Sequence, residues 1–246
     1  MPWLIKAEPD TRLVKGQDVK FSVDDFEEMG ESPWDGVRNH EAKNIMRDKM
    51  KIGDKVLFYH SNCKVPGVYA LAEVVREGYP DYTAWDATHP YFDARSDPEH
   101  PTWFMVTVAF RERLAHPVTL AGVKSLVGLS TPPDGVAYIG ESGLRAVQGM
   151  ALVNRGRLSV QPVEDEAYEA IIAMGRRGGF EEPTKGKGKR VKEEPEDHKP
   201  AESKSPSKEP PPKKAKAEPK SKAEPKPNPE SKPRIEGARR SSRLQK

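Results

Sequence analysis

A mixed α+β domain around a curved or closed antiparallel sheet, followed by a segment too polar to fold, is the architecture this 246-residue sequence predicts. Three observations lead there. Strand-length apolar runs crowd the middle of the chain and are joined by bends, with neither βαβ alternation nor a fixed repeat. Stretches of helical period are short and flank those runs. Aromatic residues stop at Phe180, and 12 of the 24 prolines lie in the 66 residues after it, a composition that cannot bury enough apolar surface to fold. The division drawn from this is one domain over residues 1–178 and a disordered, basic tail rich in Pro, Lys and Glu over 179–246.

Taken in order, PWLIKAE (2–8) is a short apolar run ending in charge and reads as the first strand. Ser22 followed by Asp25 has the form of a capping box opening the helix SVDDFEEM. A second helix is expected from about Asn39 to Met50, because Ala42, Ile45, Met46 and Met50 share one face. Gly53-Asp54 then turns the chain into KVLFYH (55–60), and GVYALAEVVRE (67–77) returns as its antiparallel partner. TWFMVTVAFRERL (102–114) is the longest strand candidate, with Phe104, Val106, Val108 and Phe110 on one face at period two. Residues 78–101 keep no period but carry five aromatics, which points to an ordered excursion over the sheet. A helical patch at Leu120–Leu126, a last strand over 157–163 and an amphipathic helix from Glu164 to Met174, stopped by Gly175, complete the domain.

Charge is divided as sharply as composition. The tail holds 20 Lys and Arg against 12 Asp and Glu, a net +8, while residues 1–180 hold 21 against 26, a net −5. Cys63 is the single cysteine, so no intramolecular disulfide forms, the usual zinc spacings are absent, and a reducing compartment is expected. The amino terminus turns charged at its sixth residue and no apolar run approaches a spanning helix, so a soluble, intracellular protein with no membrane partner is expected; a monomer is expected as well. The clusters KGKGKRVK (185–192), PPPKKAKAEPK (210–220) and RRSSR (239–243) suit a nuclear import receptor or a polyphosphate; a solubilising spacer is the bland alternative.

Seven blocks, WLIKAEP, WDGVRNHEAKN, GDKVLFYHSNCKVPG, AEVVREGYPD, YFDARS, PTWFMVTVAF and RGRLSVQPV, occur in the order and spacing of the EVE domain, which the chain resembles over roughly residues 2–174. The resemblance implies a PUA-like fold, a small and mostly antiparallel β-barrel with surrounding helices, related to the YTH readers of methylated adenosine in RNA. It also implies a nuclear binder of modified nucleobases, with methylated or hydroxymethylated cytosine in DNA as the leading ligand, and neither catalysis nor a cofactor. Three positions depart from the family pattern. Ala7 stands where relatives commonly carry Ser, which removes a hydroxyl from reach of a ligand; His40 replaces a frequent Tyr, and Ala70 a usual Gly.

An unpaired base offers two flat faces and one polar edge, so reading it takes stacking groups and a few fixed hydrogen-bond partners. Trp34 and Trp103 are the candidate walls, with Trp3 as a third; core packing is the alternative for each. Asn39 either caps the second helix or pairs with a base edge. Arg38 holds a phosphate or pairs with Asp35, and Arg157 is a second phosphate partner. Lys6 and Glu8 share a face of the first strand, where Ala7 enters through the resemblance. His60 and Ser61 end a strand at a bend, and Leu158 and Ser159 are similarly poised. Other function classes remain in view: RNA in place of DNA, or an aromatic cage for methyl-lysine suited to an acidic domain. His60 with Cys63 raises a nucleophile–base pair, but HSNC lacks an orienting acid and a Gly-built oxyanion turn. A chain ending at Gly179 is expected to lose nuclear accumulation when followed as a fluorescent fusion; undiminished concentration in nuclei removes the targeting role of the tail.

Overall fold

The computed structural model describes residues 1–180. The expected tail therefore lies outside the described residues from position 181 onward. Strand β1 (Trp3–Ala7) is followed by a hairpin of two-residue strands, β2 (Leu13–Val14) and β3 (Gln17–Asp18), then by α1 (Val23–Met29), β4 (Glu31–Pro33) and α2 (His40–Asp48). Strands β5 (Lys55–His60) and β6 (Gly67–Pro80) lead into the aromatic excursion, and β7 (Phe104–Thr119) leaves it for α3 (Leu120–Ser125). A 3-10 stretch at Asp134–Ile139, α4 (Gly140–Gly149), α5 (Ala151–Asn154), β8 (Val160–Pro162) and α6 (Asp165–Arg177) follow.

The main sheet has the order β4-β7-β6-β5-β1-β8. β6 and β7 are its spine, and their register slips at four places. Each slip inserts unpaired residues into a ladder, which bends the strand and raises its twist. The α+β, PUA-like class expected from the sequence is the one observed. One pairing was not anticipated: β1 runs parallel to β5, with Trp3 opposite Val56 and Ala7 opposite His60. Parallel neighbours need a long crossover, and residues 8–54, carrying α1, β4 and α2, supply it.

Both faces of this sheet are covered, which explains why WLI and VLFY read as continuous apolar runs. Along β1 and β5 the side chains alternate between two cores: Leu4, Leu57 and Tyr59 join Leu114, Leu144 and Ile171 on the face packed by α4 and α6. Trp3, Ile5, Val56 and Phe58 join Phe26, Met46 and Val106 on the face packed by α1 and α2. Both helices of the second face begin as their sequences direct. Ser22 and Asp25 form a reciprocal capping box on α1, and the Asn39 side chain accepts from Ala42 N–H at 3.0 Å to open α2.

Two carboxy-terminal expectations need correction. The last strand shrinks to Val160–Pro162, because residues 155–158 turn beside it instead of pairing. Gly175 does not stop α6, which runs to Arg177 and ends at Gly178. Gly175 is instead a contact point: a Cβ built there would lie 2.6 Å from Leu114 Cδ1 and 3.0 Å from its Cγ. Gly175→Ala is accordingly expected to destabilise the domain by about 1–2 kcal/mol in urea unfolding, overpacking against Leu114 outweighing the gain in helix propensity; an unchanged or raised midpoint removes the packing argument.

Candidate nucleic-acid interface

The bend after β4 is built around one buried carboxylate. Trp34 N–H donates to the Val106 carbonyl, which carries the edge of the sheet up to the bend. Gly36 then takes a φ of +68°, and a Cβ there would lie 2.5 Å from the Tyr91 ring, so both backbone and space demand glycine. Its N–H donates to Asp81 Oδ2 at 3.0 Å, and Arg38 Nη1 donates to the same oxygen at 2.7 Å. The other oxygen, Asp81 Oδ1, accepts from Thr83 N–H and the Thr83 hydroxyl. Arg38 also reaches across the excursion, donating from Nε and Nη2 to the Tyr91 carbonyl at 2.8 and 2.6 Å. A buried ion pair is tolerable only when its remaining donors and acceptors are met, and here they are.

This bend forms one side of an open cleft of about 490 Å³. The carboxy-terminal end of β1, the β2–β3 hairpin, residues 89–91 and Ser159 form the others. Trp34, Phe21 and Tyr91 supply its aromatic surface; Trp34 is 7% exposed and its indole meets Phe21 and Phe58 edge-on, with centroids 6.0 Å away in each case. Its charged lining is mixed. Asp35 is held above the usual carboxylate range, chiefly by burial and then by the nearby charge of Asp81. Burial lowers the Lys6 ammonium, which donates to the Gly156 carbonyl at 2.8 Å. Glu8 accepts from both Arg12 and Asn62.

The residues singled out from the sequence divide into three groups. Trp34, Lys6, Ala7, Ser159 and Arg38 line the cleft. Asn39, Arg157 and Leu158 line a second open cavity of about 480 Å³, reached through chain neighbours of Arg38 and Ser159. Trp103, His60 and Ser61 line neither. The paired indole walls are thus not present as expected, because Trp103 is tied elsewhere: it donates to Asp93 at 2.8 Å, stacks on His40 at 4.9 Å and has the Arg38 guanidinium 5.4 Å from its ring centroid. Trp3 is sealed in the core at the far end of β1 and donates to Asp54. Arg38 pairs with Asp81, not with Asp35.

His60 accepts from Val23 N–H at 3.0 Å and stacks on Tyr69 at 4.1 Å, so it satisfies a free donor at the start of α1. Ser61 Oγ donates to the Ala7 carbonyl. With its acceptor nitrogen occupied, and the Cys63 thiol pushed up by burial, the His60–Cys63 pair is not an activated nucleophile and base. Phe21, Asp35 and Tyr91 are cleft residues that sequence reasoning passed over. Asp35 and Tyr91 sat within quoted segments, but only the Asp81 clamp, from a distant part of the chain, makes them neighbours.

The EVE domain family model matches residues 2–174. Human thymocyte nuclear protein 1 is 38% identical over 174 residues, covering 70% of this chain and 72% of that one. Among solved structures, the human THYN1 protein in complex with DNA containing 5-methylcytosine is similar at 37% identity and a TM-score of 0.61, over 71% of this chain and 96% of that chain. A hypothetical protein from Leishmania major is similar at 45% identity and a TM-score of 0.57, over 71% of this chain and 93% of that chain.

His60 also sets a pH dependence. Burial lowers its pKa to about 4, against about 6.5 in the unfolded chain, so between those values unfolding takes up a proton and stability falls as pH falls. His60→Gln keeps an acceptor for Val23 N–H without titrating. Urea midpoints measured from pH 7 to pH 4 are expected to decline less steeply in this variant than in the parent; parallel curves remove the assignment to His60.

Proposed function

The chain belongs to the EVE domain family, and on that premise we propose that it is a non-catalytic nuclear reader that binds a methylated or hydroxymethylated cytosine of DNA in the cleft beside Trp34. The observation that carries the reading is the cleft itself. It is of a size that suits a small ligand, it has flat aromatic surface and directed polar groups on its walls, and the relative solved on 5-methylcytosine DNA has the same fold. Trp34 and Phe21 offer the stacking surface. Asp35 lies next in the chain and serves the polar edge of the base: its carboxyl accepts from the exocyclic amine, the partner expected for cytosine. Burial raises its pKa, while His89, whose Nε2 lies 3.8 Å from Asp35 Oδ2, acts in the opposite direction. Ala7 and Val37 give the 5-position an apolar surround, with Lys6 and Ser159 at its margin.

The phosphate backbone would follow the second cavity, where Arg157 is exposed and Asn39 and Leu158 form the wall. Ser61 and Trp103 act on the site through its lining residues, Ser61 by its bond to the Ala7 carbonyl and Trp103 by its ring beside Arg38, while His60 fixes the start of α1. The acidic domain contributes little general attraction to DNA, so the basic tail supplies it, along with binding to the import receptor. Competition between matched DNA duplexes bearing plain, methylated and hydroxymethylated cytosine, with RNA counterparts, tests the reading. Preference for the modified DNA is expected; equal affinity across the DNA series, or tighter RNA binding, overturns it. Asp35→Ala is expected to weaken binding to modified DNA by about tenfold or more, while Asp35→Asn, which presents both an acceptor and a donor, retains most of it.

A further inference from the structure

We infer that the β2–β3 hairpin is a wedge that enters the base stack of duplex DNA, with Leu13 filling the space a base leaves when it turns into the cleft. The inference rests on the reading of the cleft as a base site. Leu13 is 68% exposed, on a short hairpin whose Arg12, Gln17 and Asp18 line that cleft. Leu13 stands at the base of the hairpin, opposite Asp18 of the cleft wall, and proteins that unstack DNA insert this residue type between base steps.

The hairpin is built to hold Leu13 still. Lys15 and Gly16 form its two-residue turn with φ of 50° and 83°, the backbone signs of a tight type I′ turn. Leu13 pairs with Asp18 and Val14 with Gln17. Arg12 N–H donates to Asp18 Oδ1, and the Arg12 guanidinium is bonded to Glu8 of the cleft wall at 2.7 Å. On the other side Gln17 donates to the Thr88 carbonyl, and the Lys15 ammonium lies 5.6 Å from the Phe92 ring centroid. The hairpin is therefore fastened to β1 on one side and to the excursion on the other. Charge around the leucine is mixed: Arg12 is paired with Glu8, Lys20 with Asp25, and Asp18 lies opposite in the ladder, so Lys15, beside the Phe92 ring, is the cation suited to a phosphate flanking an opened step.

A wedge works only where there is a stack to open. Leu13→Ala in the full chain is expected to weaken binding to a modified duplex by about tenfold, to leave binding to the same modified strand without its complement unchanged, and to abolish the fluorescence rise of 2-aminopurine placed beside the modified cytosine. Leu13→Met, which keeps an apolar probe of similar reach, is expected to restore duplex binding and the fluorescence rise. Equal duplex binding by Leu13→Ala and parent, in a protein that still prefers modified cytosine, overturns the wedge alone. Loss of duplex and single-strand binding together assigns Leu13 to general contact and also overturns it. A parent without any preference for modified cytosine fails at the cleft, an outcome separable from the behaviour of Leu13.

Discussion

The carboxylate of Asp81 organises the functional face. It is almost wholly removed from water, and it collects Gly36 N–H, the Arg38 guanidinium and both donors of Thr83. An unpaired charge in that position would be severely destabilising, so the bend and the excursion must arrive together. Arg38 then passes the constraint on to the Tyr91 carbonyl, and the Tyr91 ring closes over Gly36. A segment whose regular structure is the 3-10 turn Tyr82–Ala84 thereby becomes a fixed wall. Such loops, held by a rigid scaffold, are where binding residues concentrate.

Behind that wall the cleft shares its aromatic floor with the core. Phe21, Phe26, Phe58 and Trp34 form one cluster of tilted and edge-on rings, continuous with the aliphatic packing under α1 and α2. The aromatic surface of the cleft is thus set by side chains already in place, and on the proposed reading little conformational entropy is left to lose when a base binds, which is what preorganisation means in this setting.

Much of the fold was legible because local chemistry and tertiary structure agree. The Ser22–Asp25 box, the Asn39 cap, the buried stripe of α2 and the long period-two run of β7 each appear where their residues direct. What the sequence concealed depends on distant partners. Gly175 carries a stop signal in isolation, but Leu114 turns it into a packing contact inside α6. The parallel union of β1 with β5 leaves no mark beyond apolar runs compatible with either direction. For the cleft, Trp34, Lys6 and Ser159 could be found from residue type and position and Ala7 only through the family resemblance, whereas Asp35 and Phe21 could not, since nothing local says that they share a space. Trp103 illustrates the opposite error: a tryptophan at the head of a strand has the chemistry of a wall, yet its indole is engaged by Asp93, His40 and Arg38.

The position of β1 bears on how the chain is made. Its two neighbours are β5 and β8, so this strand, made before either, finds one partner near residue 56 and the other only at Val160–Pro162. Until those late residues emerge, one edge of a strongly apolar strand lacks its ladder, a condition that invites association between nascent chains. Closure by three residues late in the domain therefore makes the emergence of Val160–Pro162, rather than local collapse, the event that seals this side of the sheet.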